Sequence, residues 1–138
     1  LLYGEKGFIQ YQFVIPKKNG IQILKKILDI INEHDQIPFL AVLKMLGSQN
    51  KNHLSFPIEG YTLALDFKAD HGLLNLISSL DKVIAHSGGR IYLTKDAIMS
   101  KKIFRECYPK WEEFERIRRK YKAIGKFMSH QSLRLGLE

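Results

Sequence analysis

Polar and charged side chains stand inside several short runs that otherwise have strand character. Lys44 sits within FLAVLKML, residues 39–46. An ammonium in an apolar strand is costly unless it reaches water, a carboxylate or a ligand. Two readings are open: an edge-strand lysine that blocks aggregation, or a lysine that meets a ligand. Gln10 and Gln12 share one face of GFIQYQFVI, residues 7–15. That face is either the solvent side of a sheet or a cover over a ligand, whose hydroxyls the amides would pair with as donors and acceptors. Asp66 alternates with Ala64 and Thr62 on one face of YTLALDF. It is a candidate counter-charge for Lys44, or an exposed carboxylate. Lys95-Asp96 follows a short predicted strand directly. A strand end feeding a loop is a common place for a functional side chain, although a solvated turn is the simpler reading.

Other chemistry is thinly represented. The chain has no P-loop, G-x-G-x-x-G, G-x-S-x-G or H-E-x-x-H motif. His34, His53, His71, His86 and His130 are scattered, so surface positions and no metal site are expected. The single cysteine, Cys107, rules out an intramolecular disulfide and a cysteine-based zinc site. Arg105 nearby would lower its pKa, but an ordinary helix cysteine is the favoured reading. The cysteine usage suits a reducing, cytoplasmic setting.

The elements that must position these residues follow from hydrophobic period. Gly7–Ile15 alternates as a half-buried strand ended by Pro16, with Asn19 placed to cap the next helix. Ile21–His34 carries Leu24, Ile27, Leu28 and Ile31 at helical spacing. Pro38–Leu46 reads as a second strand, 47–53 as a loop, Leu54–Ile58 as a short extended stretch and Tyr61–Phe67 as a third strand. Asp70 is placed to cap a second helix with Leu73, Leu76, Ile77, Leu80 and Ile84 on its apolar stripe. Gly88-Gly89 ends it, and Arg90–Thr94 reads as a fourth strand. The order is β-α-β-β-α-β: an α+β, ferredoxin-like antiparallel sheet with two helices on one face. A mostly helical segment follows, with helices at Ser100–Cys107 and Trp111–Tyr121 broken at Pro109. Residues 122–138 show no strong period.

Composition agrees with a folded domain. At 138 residues, 45% hydrophobic and 26% charged, the chain is neither disordered nor of low complexity. Its most apolar stretch is too short, against the roughly 20 residues a spanning helix needs. The formal charge of +8 is uneven: residues 1–89 hold nine lysines against eight acidic residues, and residues 90–138 hold thirteen basic residues against six. A compositional seam therefore falls near Gly88-Gly89. Arg116, Arg118, Arg119, Lys120, Lys122 and Lys126 form a basic run, read as the solvated face of a helix with Glu112–Arg116 and Glu115–Arg119 pairs. Its aromatic neighbours lie on the apolar stripe, which argues against nucleic acid.

The ordered series GFIQYQFVIP, FLAVLK, LSFP, GY, DF, GGRIY, KD, YP and RLGL resembles the C-terminal part of the FAD-linked oxidases of the vanillyl-alcohol-oxidase superfamily. Within it, the decaprenylphosphoryl-ribose oxidase branch is nearest and the sugar-lactone oxidases are further away. The resemblance spans nearly the whole chain. It implies that residues 1–89 are the later part of a substrate-covering cap domain. Residues 90–138 would return to an FAD-binding domain outside this chain. It implies FAD as cofactor and oxidation of an alcohol carbon of a sugar, polyol or lipid-linked sugar, with the fragment alone inactive. Gln10, Gln12, Lys44, Thr62 and Ala64 would face the substrate. Tyr92 and Lys95 would lie beside the flavin, and Lys95, with Lys44, would carry the catalytic role. The mycobacterial branch has cysteine in place of Ala64 and asparagine in place of Thr62, and relatives often have Asp-Pro in place of Lys122-Ala123. The alternative is a free-standing ferredoxin-like RNA- or ligand-binding module. A peripheral membrane contact through the basic tail is compatible with a lipid-linked substrate.

Overall fold

The structure is a computed structural model and describes residues 6–137. The first six elements are β1 (Phe8–Pro16), α1 (Gly20–Glu33), β2 (Leu40–Leu46), β3 (Gly60–Lys68), α2 (Leu73–His86) and β4 (Arg90–Ile91). The sheet runs β2-β3-β1-β4 with every neighbouring pair antiparallel. This is the ferredoxin-like order expected from the hydrophobic period. Tyr11, Phe13 and Ile15 of β1, with Leu63, Leu65 and Phe67 of β3, are buried against Ile27 and Ile31 of α1 and Leu73, Leu76, Ile77, Leu80 and Ile84 of α2. Gln10 and Gln12 point to the other face, because strand side chains alternate.

Both predicted helix caps differ from expectation. Asn19 and Gly72, not Asp70, occupy the positions before α1 and α2, and both are left-handed, with no side-chain cap bond. A capping side chain needs an extended backbone to reach back to the first turn, which a positive φ denies it. Asp70 instead accepts a 2.7 Å bond from the His71 amide. The close of α2 does follow expectation. Gly88 is left-handed, its amide donates to Ala85 and the Gly89 amide donates to Ile84, a Schellman close that a Cβ would strain.

β4 is shorter than the predicted Arg90–Thr94. After Ile91 the chain leaves the sheet and forms a single 3-10 turn, Leu93–Lys95. Leu54–Ile58 is irregular rather than extended in a ladder. The Arg90 guanidinium fastens this loop, donating to the Ser55 carbonyl and, at 2.8 Å, to Gln49 Oε1.

Three helices complete the fold: α3 (Lys101–Cys107), α4 (Trp111–Lys120) and α5 (His130–Leu135). The last has no counterpart in the hydrophobic period. Ser129 and Ser132 form a reciprocal capping box at its start. The predicted apolar stripe of α4 is only half used: Trp111 and Phe114 pack against the core, whereas Tyr121 is 72% exposed. The residue α4 buries is Glu115, paired at 2.6 Å with Arg118. That i,i+3 pair replaces the expected Glu115–Arg119 pair, and no Glu112–Arg116 pair forms among the described residues. After α4 the Ala123 amide donates to the Arg118 carbonyl. A proline at 123 has no amide hydrogen for that bond, so this turn differs from an Asp-Pro turn.

Met99, Phe104, Tyr108, Leu135 and Leu137 join the same core as the sheet. The Tyr108 hydroxyl donates to the Ile91 carbonyl at 2.6 Å. Cys107 is 2% exposed, and burial pushes its thiol up to about 12. Arg105 does not lower it, because its guanidinium lies over the Trp111 ring at 4.2 Å. Cys107 is a core residue.

Candidate functional site

The helices cover one face of the sheet, and the other face carries the residues singled out from sequence. The strand register sets them in rows. Gln10 lies opposite Asp66, and Asp66 opposite Leu40. Gln12 lies opposite Ala64, and Ala64 opposite Val42; Val14 lies opposite Thr62, and Thr62 opposite Lys44. Gln10, Gln12, Leu40, Val42, Lys44, Thr62, Ala64, Asp66 and Lys95 line one cavity of about 120 Å³. Lys95 reaches it from the 3-10 turn at the end of β4.

Hydrogen bonds orient the amides. Gln10 Nε2 donates to Asp66 Oδ1 at 2.7 Å, and Gln12 Nε2 donates to Thr62 Oγ1 at 3.1 Å. The buried Thr62 hydroxyl donates in turn to the Phe13 carbonyl at 2.7 Å. Each glutamine therefore has one of its two amide hydrogens committed within the sheet, which leaves the second hydrogen and the carbonyl oxygen free to meet a ligand. Thr62→Val keeps the shape but removes both bonds. We expect a loss of about 1–2 kcal/mol in stability, measured by urea titration, with increased mobility of the Gln12 side-chain amide seen by NMR.

Asp66 is not the counter-charge of Lys44. It is buried, it is committed to Gln10, and it sits across from Leu40 rather than Lys44. Lys44 has no ion pair among the described residues. Among the described residues β2 is an edge strand, and Lys44 is exposed there while also lining the cavity. The two readings of this lysine are thus compatible. Tyr92 stands beside the cavity, not in it. Its amide donates to the Gln12 carbonyl at 2.8 Å, and its ring packs on Phe56 at 4.5 Å between centroids.

A larger cavity of about 500 Å³ lies on the helical side, bounded by Leu74, Ser78, Asp81, Lys82, Lys102 and Ile103 among others. None of the residues expected at a site lines it. The open-face cavity is smaller but gathers the convergent polar groups that ligand sites use. The sequence reading missed Gln131 and Arg134 as structural partners of the Lys95 turn. Gln131 Nε2 donates to the Leu93 carbonyl at 2.5 Å, and Arg134 pairs with Asp96 at 2.8 Å. The one signal was the Arg134-Leu135-Gly136-Leu137 ending, which carried the resemblance without showing what the arginine does.

The ferredoxin-like sheet thus turns an amide- and lysine-bearing face, with a small polar cavity on it, away from its helices. The family model described as D-arabinono-1,4-lactone oxidase matches residues 6–135. The chain belongs to the D-arabinono-1,4-lactone oxidase family. Over 135 residues it is 38% identical to decaprenylphosphoryl-β-D-ribose oxidase of Mycolicibacterium smegmatis, covering 98% of this chain and 29% of that protein. Over 98 residues it is 33% identical to an uncharacterized protein in the mprA 5′ region of Streptomyces coelicolor, covering 70% of this chain and 27% of that protein. The chain thus spans less than a third of the length of either relative. Among the described residues, no helix is long and apolar enough to cross a membrane.

Proposed function

We propose that the chain is the C-terminal part of an FAD-dependent oxidoreductase that oxidises an alcohol carbon of a sugar, polyol or sugar-lactone substrate. Residues 1–89 are then the later part of a substrate-covering domain. Residues 90–138 form a segment that docks on an FAD-binding domain outside this chain. The observation that carries this reading is the gathering of Gln10, Gln12, Lys44, Thr62, Ala64 and Lys95 around one cavity. The mycobacterial relative is named for a lipid-linked ribose, and a lipid-linked sugar is one member of the substrate class proposed.

The donor set fits a flavin edge. A cation and polar side chains suit the part of such a ring system that gains negative charge on reduction. The cavity volume is well below the roughly 300–1,000 Å³ of a complete ligand pocket, so this chain supplies one wall. A flavin held there would supply the hydride acceptor for the carbinol carbon. In this reading the Lys95 ammonium would donate to the reacting oxygen and stabilise the negative charge it gains as its proton passes to solvent. The Gln10 and Gln12 side-chain amides and Lys44 would hold the other hydroxyls in register. Exposed apolar side chains beside the basic run support a docking surface: Phe127 is 77% exposed and Met128 57%.

Absorbance titration with FAD tests the proposal. The 138-residue chain should bind no FAD tightly, and the full-length protein should purify yellow and be bleached by a sugar or polyol substrate. A full-length protein that is colourless and cannot be reconstituted with FAD would refute it.

A further inference from the structure

The segment carrying Lys95 is held in an unusual way. β4 has two residues, and beyond the Tyr92 amide bond to Gln12 no sheet ladder continues toward Lys95. The next residue, Asp96, has a side chain only 2% exposed. Its Oδ1 accepts from the amides of Ile98, at 3.0 Å, and Met99, at 2.7 Å. Its Oδ2 accepts from Arg134 Nη2 at 2.8 Å and from Gln131 Nε2 at 3.4 Å. Arg134 Nη1 also donates to the Met99 carbonyl, and Gln131 Nε2 to the Leu93 carbonyl. Two side chains of α5 therefore grip the turn at both ends, at Leu93 and at Met99. α5 itself is anchored by the buried Leu135, with buried Leu137 just beyond it. A side chain aimed into a site from a loop has whatever precision its supporting bonds give it.

We propose that Asp96, Arg134 and Gln131 are positioning residues for Lys95. In this arrangement the C-terminal helix sets the aim of the lysine through Asp96, which lies 38 residues before Arg134 in sequence. The guanidinium matches both the carboxylate and the Met99 carbonyl, a fork that lysine cannot reproduce. The inference rests on the reading of Lys95 given under the proposed function.

Amide hydrogen exchange and kinetics on paired variants test it. In the 138-residue chain, Gln131→Met and Arg134→Met should speed exchange at the Ile98 and Met99 amides by about tenfold, leaving the β1 and β3 amides unchanged. Equal acceleration across the sheet would mean general destabilisation and would overturn the proposal. Gln131→Met leaves the ion pair in place, so it reports even where Arg134→Met fails to fold. In the full-length enzyme, Arg134→Met should lower kcat by about 10–100-fold with little change in KM, and Arg134→Lys should recover only part of it. Combined with Lys95→Met, neither variant should lower kcat further than Lys95→Met alone. Additive losses would sink the positioning role while leaving the function intact. A Lys95→Met enzyme of undiminished activity would sink both.

Discussion

Lys95→Met in the full-length enzyme should reduce kcat by about 10²–10³-fold, the range seen when one charge-stabilising donor is removed from an active site. Lys95 meets the cavity from the turn beyond β4, apart from the rows of Gln10, Gln12, Thr62 and Lys44. Those residues remain in the variant and, in the proposed reading, would still contact the substrate hydroxyls, so KM should change by no more than a few-fold. Methionine preserves much of the stem volume while deleting the ammonium, which separates charge from packing. Steady-state kinetics with rapid-reaction measurement of flavin bleaching would locate the loss in the chemical step. Lys44→Met should show the converse pattern, with the larger effect in KM. A Lys95→Met enzyme with more than a tenth of the parent kcat would remove Lys95 from the chemistry.

Asp81→Asn should stabilise the chain near neutral pH. Asp81 lies among the buried residues of α2, and its Oδ1 accepts from the Tyr11 hydroxyl at 2.6 Å. Burial pushes its carboxyl up to about 6, while the bond from Tyr11 pulls the other way. In the unfolded chain the same group titrates near the ordinary carboxylate value of about 4. Between about pH 4 and pH 6 the folded state therefore binds the proton more tightly than the unfolded state. Its contribution to stability is greatest below pH 4 and is lost as pH rises through 6, a cost of about 3 kcal/mol that persists above. Asparagine removes the charge and keeps an oxygen for Tyr11, although a neutral acceptor holds the hydroxyl less strongly. The net expectation is a gain of about 1–2 kcal/mol at pH 7.5, or a rise in Tm of roughly 5 °C. At pH 4 the advantage should vanish. Thermal unfolding at both pH values measures it, and destabilisation at pH 7.5 would show that the ionised carboxylate is needed there.

Asp81 also shows where reading from the chain stops. Its position belongs to the apolar stripe formed by Leu73, Leu76, Ile77, Leu80 and Ile84, but nothing in a one-dimensional pattern says that Tyr11 waits across the interface. The sheet order was legible because alternation in β1 and β3 and helical spacing in α1 and α2 are long and regular. Lys44, Gln10 and Gln12 were legible as polar interruptions of apolar runs. β4 was overestimated because the chain turns at 93–95, closed by the backbone bonds Lys95 to Tyr92 and Asp96 to Leu93 and held by Gln131, and such a turn leaves no periodic trace. α5 was missed for a related reason. Six residues with Leu133 exposed and Leu135 buried are too few to set a period, and most of what the helix does is done by hydrogen bonds. The Lys95 turn needed partners distant in sequence, and only the folded chain brings them together.

Among the described residues the outer edge of β2 has no strand partner, which bears on how a Lys44 substitution in this chain must be interpreted. Seven residues of that strand, LAVLKML, run along solvent, with Leu40, Leu43 and Met45 exposed. Lys44 is the one charge in the run. An edge of this kind is a template for strand addition by another polypeptide, and a lysine is a common natural gatekeeper against it. Removing the ammonium to probe ligand contact would therefore also make the protein stickier. Lost activity in such a variant has to be separated from lost monomer, and Arg, which keeps the charge while altering the reach, is the more informative exchange.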